Sequence, residues 1–197
     1  MENSKNINGR LSCINSDWMT PTWVIEKART IMGSIDLDPA SCEEANQRVK
    51  AKNYFNPSNS GLDNKWYGNV FLNPPGGKTG SVSNSQIWWN KAMFEYQSGR
   101  INNLFYVAFS IEQLCINPTM LDHTIFLPRK RLKFLKLGEK KSRPSHSNAL
   151  ILATKNDEVI EKFDKELNEF GNNFFTLSLN YIYDLKNING KYPKGIR

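Results

Sequence analysis

The sequence predicts one α/β domain with a mainly parallel sheet, helices on both faces and a late antiparallel hairpin. Three observations lead there. Short apolar runs of strand length alternate with amphipathic stretches of helix length, the pattern of β-α-β units. The 197 residues suffice for one well-buried domain but not for two plus a linker, and no internal repeat is visible. Two strand-like runs, "IDLDP" and "VFLNPP", end in unusual corners, and ligands sit at such carboxyl ends in open α/β sheets.

Residues 1–16 are polar, Asn/Ser-rich and non-periodic, which predicts a flexible tail ahead of a single domain over residues 17–197. Thr20-Pro21 suits a helix start, with Thr as N-cap and Pro at the first turn. Trp23, Val24, Ala28, Ile31 and Met32 then recur at helical spacing up to Gly33. "SIDLDP" reads as a strand stopped by Pro39. Ser41 is placed to cap a second helix, "CEEANQRVKA", with Glu43 and Glu44 in its first turn. "KNYF" and "NVFL" read as strands on either side of the loop "NPSNSGLDNKWYG".

Composition from Gly76 to Ser85 predicts a flexible surface loop, followed by the helix "QIWWNKAMFEYQSG". "NLFYVAFS" and "HTIFLP" read as strands joined by a helical or irregular "EQLCINPTML". "RLKFLKL" and "SNALILAT" read as antiparallel partners around a basic turn. "NDEVIEKFDKELNEFG" is a capped amphipathic helix, and "FFTLSLNYIYDL" fits a final strand.

The net charge of +7 is unevenly spread: residues 100–155 carry ten Lys/Arg against three Asp/Glu. The excess is densest in "PRKRLKFLKLGEKKSR". That stretch fits a solvated hairpin or a phosphate-binding footprint on nucleic acid. The chain has neither an apolar run long enough to span a membrane nor a secretory h-region, so a cytoplasmic protein is expected. Cys13, Cys42 and Cys115 are widely spaced and lack accompanying histidines, which predicts small buried hydrophobes rather than a disulfide framework or a zinc site.

The Asn73-Pro74-Pro75 corner carries the most chemistry. Two prolines give up two amide donors and fix two φ angles, so Asn73 leaves its strand in a restricted orientation. Such a corner serves as a rigid turn or as part of an active site. Its asparagine oxygen and the following carbonyl form two acceptors suited to one exocyclic amine. Asp36 and Asp38, at the other corner, fit a helix cap or a ligand site, Asp63 a turn or a ligand site, and Trp18, Trp23 and Trp66 core or lid packing. His123 and His146 lack a partnered carboxylate motif, which fits ordinary polar roles.

"NPP" after an apolar strand resembles the Asn/Asp-Pro-Pro-aromatic motif of amino-group methyltransferases that use S-adenosylmethionine (SAM). The ordered series "DWMTPTWVIEKA", "IDLDPAS", "EAN", "YF", "GLDNKW", "VFLNPP", "RLKF" and "SRPSHSNALIL", over residues 17–154, resembles phage-type DNA N6-adenine methyltransferases of the Dam group. The resemblance implies a Rossmann-like methyltransferase fold, SAM as cofactor, no metal, and DNA as partner. It also implies a monomer or weak dimer in a bacterial host cell, encoded by a phage or prophage.

By the same likeness, Asn73, Pro74 and Pro75 form the catalytic corner that holds the target N6. Thr20, Pro21, Asp36, Asp38, Pro39, Ala40, Ser41 and Asp63 belong to the cofactor site. From the charge distribution, Arg129, Lys130, Arg131 and Lys133 are the expected phosphate contacts, with Lys136, Lys140, Lys141 and Arg143 as a second group, and the loop bearing Gly76 and Lys78 is expected to face the substrate. Two departures stand out. The glycine pair that usually follows the first acidic turn is replaced by "DPASCEEAN", and the aromatic after Pro-Pro is Gly76. Trp88 and Trp89 are the expected substitutes for that missing base-stacking ring. Two other functions fit the residues: methylation of another amine (cytosine N4, an RNA base or a protein glutamine), or a DNA-binding relic of the fold without catalysis.

Overall fold

A computed structural model describes residues 18–136 and 146–174. The predicted tail over residues 1–16, Lys140, Lys141, Arg143 and most of the expected last strand lie outside the described residues. The chain opens with β1 (Trp18–Met19) and α1 (Thr22–Met32), followed by β2 (Leu37–Asp38), α2 (Glu43–Val49) and β3 (Asn53–Tyr54). β4 (Gly68–Leu72) leads through β5 (Lys78–Thr79) and β6 (Val82–Ser83) into α3 (Asn84–Gln97) and β7 (Ile101–Ala108). After α4 (Gln113–Ile116) and a 3-10 turn at Pro118–Asp122 come β8 (Thr124–Pro128), β9 (Leu135–Lys136), β10 (Ala149–Thr154), α5 (Asp157–Leu167) and β11 (Gly171–Phe174).

Seven strands form one sheet in the order β11-β8-β10-β7-β4-β2-β3. β3, β2, β4 and β7 are mutually parallel, while β10 and β11 run antiparallel to their neighbours. Alternation along the strands splits the core in two. Phe71, Phe105, Val107, Phe126, Leu150 and Leu152 pack under α1 and α5 on one face. Val70, Leu72, Leu104, Tyr106, Ala149 and Ile151 pack with Trp88, Trp89, Ala92 and Met93 of α3 on the other. The mixed α/β sheet with helices on both faces is the predicted class.

Local starts and pairings differ from expectation in instructive ways. Pro21, extended at φ −56°, ψ 138°, occupies the N-cap of α1, so Thr20 stands outside the helix. Cys42, not Ser41, caps α2, its sulfur accepting the Ala45 amide at 3.3 Å; Cys42 is buried as expected, though disulfide-bonded, whereas Cys115 is exposed, contrary to expectation. β9 pairs with β1, not with β10, which instead lies between β7 and β8. The expected flexible loop after Gly76 is a small β5-β6 hairpin held by Asn84. Its side chain donates to the Gly76 carbonyl at 2.7 Å and accepts from Thr79 Oγ1 at 2.7 Å.

The amino end of the sheet is braced by Asp36. Its carboxylate accepts the Asn69 amide at 2.9 Å and Ser34 Oγ at 3.0 Å, and pairs with Lys52 at 2.7 Å. Gly68 lies against it at φ 73°, and a Cβ there would stand 2.5 Å from Asp36 Oδ2. Gly68→Ala is therefore expected to destabilise the fold by about 1–3 kcal/mol, lowering the melting temperature by several degrees. An unchanged thermal melt would show that this corner yields without cost.

Candidate active site

β2 and β4 are neighbours, yet the chain leaves β2 outward to β3 and returns to β4 on the other side. That reversal makes the crevice at their carboxyl ends the topological switch point of the sheet. Leu37 registers with Val70, so Asp38 lies opposite Phe71 and Asn73 follows two residues further along at the same edge.

Asp38 is buried, and its Oδ1 accepts the Ala40 amide at 3.2 Å within the Pro39-Ala40 turn. Burial pushes its carboxyl up to about 7, against the opposing hydrogen bonds of Ser41 and the Ala40 amide. A loop closes over this turn. A Cβ at Gly61 would lie 2.2 Å from the Pro39 carbonyl, and the buried Trp66 fixes the loop by donating from Nε1 to the Gly61 carbonyl at 2.7 Å. Asp63 follows on that loop, exposed, with its amide bonded to the Ser60 carbonyl.

Asn73 leaves β4 half-buried, and its Nδ2 donates to the Trp18 carbonyl at 2.8 Å. With the nitrogen end held by a pure acceptor, the amide orientation is determined and Oδ1 remains as the acceptor of the pair. Thr20, two residues beyond that carbonyl, is buried with its Oγ1 lacking a partner among the described residues. The buried Thr20 hydroxyl, without a partner among the described residues, and the buried Asp38 carboxyl are each polar groups that fit a polar, cationic ligand.

The family model for DNA N-6-adenine-methyltransferase (Dam) matches residues 10–168. The chain belongs to this Dam family. No curated protein and no solved structure matches it.

Of the residues expected from the Dam family, Asp38 ends β2 and is followed by Pro39, Ala40 and Ser41, and Asn73-Pro74-Pro75 follow β4 at the same edge. Thr20 and Pro21 come two and three residues after Trp18, whose carbonyl accepts from Asn73. Asp36 is separated from them by its role at the amino end: burial works to raise its pKa, but Lys52, the Asn69 amide and Ser34 hold it below the ordinary carboxylate value. Trp88 and Trp89 are corrected outright as stacking surfaces. Both are buried, Trp88 against Trp66 at 6.1 Å and Trp89 edge-on to Tyr106 at 5.2 Å, so neither offers a face to a base.

The basic stretch has a defined place. β8 is antiparallel to β10, which is antiparallel to β7, so β8 runs with β7 and delivers Arg129–Lys133 to the same edge as Asn73. Leu132 and Phe134 are buried and anchor the segment, leaving Arg129, Lys130, Arg131 and Lys133 exposed. Gly76 and Lys78 are exposed beside the corner. The sequence reading missed Asn148, a buried side chain that accepts from the Leu132 amide and donates to the Phe109 carbonyl. A single buried asparagine between strands leaves no periodic trace in sequence.

Proposed function

We propose that this Dam-family enzyme, encoded by a phage or prophage and acting in a bacterial cytoplasm, methylates adenine N6 in DNA from SAM at the Asn73-Pro74-Pro75 corner. The observation that carries this reading is the Asn73–Trp18 hydrogen bond, which leaves Oδ1 as an oriented acceptor at the sheet edge where buried Asp38 ends β2. SAM, when bound, supplies the electrophilic methyl group on its sulfonium. Asp38 and Thr20 are the residues to hold its charged and polar methionine end, supported by Pro21, Pro39, Ala40 and Ser41, with Asp63 at its adenine amine.

The chain's own contribution is orientation. The lone pair of an exocyclic adenine amine is shared with the ring, so the amine is a weak nucleophile. Asn73 Oδ1 and the Pro74 carbonyl each accept one N–H, which favours a pyramidal nitrogen and aims its lone pair into the crevice. Fixed acceptors of this kind need no reorganisation during the reaction, and positioning supplies much of the remaining acceleration. The prolines keep the corner rigid.

Adenine must leave the duplex to reach this edge, at a cost of a few kcal/mol, which phosphate contacts offset. Arg129, Lys130, Arg131, Lys133 and Lys78 are the exposed cations for that task. Changing both Arg129 and Lys130 to Gln is expected to weaken DNA binding and reduce the slope of log affinity against log salt by about one to two. An unchanged slope would move the footprint elsewhere.

The test of function is mass spectrometry of nucleosides from DNA incubated with SAM and the protein. N6-methyladenine is the expected product. N4-methylcytosine, or no methylated nucleoside despite SAM binding, would overturn the assignment.

A further inference from the structure

Gly76 stands where an aromatic ring would follow Pro-Pro, and the buried Trp88 and Trp89 cannot replace it. Of the other large rings, Tyr67 precedes β4 at the opposite end of the sheet, and Trp23 is stacked on Phe170 at 5.1 Å. Phe109 is placed differently. Leu72 registers with Tyr106, so Phe109, three residues past Tyr106, stands level with Pro75, three residues past Leu72, on the adjacent chain segment.

The two side chains also share a face. Phe71 and Val107 both belong to the core under α1, and Asn73 and Phe109 follow them by two residues each. Trp18 confirms the proximity because it touches both: its carbonyl accepts Asn73 Nδ2, and its ring centroid lies 6.4 Å from that of Phe109. Phe109 is half-buried, packed at 5.3 Å on Phe134 and at 5.0 Å on His146. Its carbonyl is tied by Asn148 to the segment bearing Arg131 and Lys133. The ring thus sits on the first residue past β7, held by its packing on Phe134 and His146 and by the Asn148 bond to its carbonyl.

We propose that Phe109, backed by Trp18, supplies the stacking face for the extruded adenine that Gly76 lacks. The inference rests on the adenine-methyltransferase reading of the site. Stacking on one aromatic is sequence-tolerant and contributes enough to change affinity by about tenfold to a hundredfold. Gly76 also leaves room for the alternative arrangement, since a Cβ there would meet nothing within 4 Å.

The test compares wild type, Phe109→Leu and the double variant Phe109→Leu/Gly76→Tyr, with SAM and plasmid DNA from methylation-deficient cells. Phe109→Leu is expected to lower kcat/KM for DNA about tenfold to a hundredfold, leaving the SAM Kd unchanged, and Gly76→Tyr is expected to restore it to within a few-fold. Unchanged kcat/KM in Phe109→Leu, or a loss that Gly76→Tyr does not reverse, would overturn the proposal. Wild-type activity keeps the two failures apart: an inactive wild type sinks the parent reading, whereas an active one with an indifferent Phe109→Leu sinks this inference alone.

Discussion

Asn73→Ala is expected to slow methyl transfer by at least about a hundredfold to a thousandfold while SAM affinity stays within a few-fold. The alanine removes the Oδ1 acceptor and with it one of the two groups that hold the amine, but it leaves Asp38 and Thr20 in place. Single-turnover methylation alongside SAM calorimetry separates the two effects; near-normal turnover would sink the assigned mechanism. Asn73→Asp sharpens the test. The oxygen that replaces Nδ2 would face the Trp18 carbonyl, which is 2.8 Å from that atom. Two acceptors repel, so only the protonated acid preserves the contact, and the Asp variant is expected to be weak at neutral pH and to gain activity as pH falls. An Asp variant as active as wild type at pH 8 would show that Trp18 does not set the amide orientation.

Much of this arrangement was legible because it is local. The helix from Asp157 announces itself by Asn156, whose side chain accepts the Glu158 amide at 2.9 Å, and by acidic residues in its first turn. The Asn-Pro-Pro corner is legible because proline geometry acts over one or two residues. What was not legible depends on distant segments. Thr20 reads as a cap until Pro21 takes that place and Thr20 lies buried beside the crevice. The two-residue β1 carries no periodicity, so its pairing with β9 and its carbonyl bond to Asn73 follow from tertiary packing alone. Trp88 and Trp89 are adjacent on a helix, and residue type does not distinguish a base-facing indole from one packed on Trp66 or Tyr106.

Asp38→Asn is expected to weaken SAM binding by two orders of magnitude or more, yet to stabilise the ligand-free protein above neutral pH. The opposite signs come from one group. Asp38 is buried, and burial raises its carboxyl pKa from 3.8 in the unfolded chain to about 7. Between those values the folded chain holds a proton that the unfolded chain has released, so stability falls as pH rises and levels off above about 7. The full penalty is on the order of 4 kcal/mol. The asparagine keeps an oxygen for the Ala40 amide but carries no charge, so it removes this slope. Melting curves of the ligand-free wild type and variant at pH 5 and pH 8 should therefore diverge at the higher pH, with the variant melting later. An ammonium group beside Asp38 favours the carboxylate instead, so wild-type SAM affinity should fall as pH drops below about 7. A variant that melts earlier than wild type at pH 8 while binding SAM normally would make Asp38 a structural anchor of the β2 corner, and the cofactor's ammonium would need another partner.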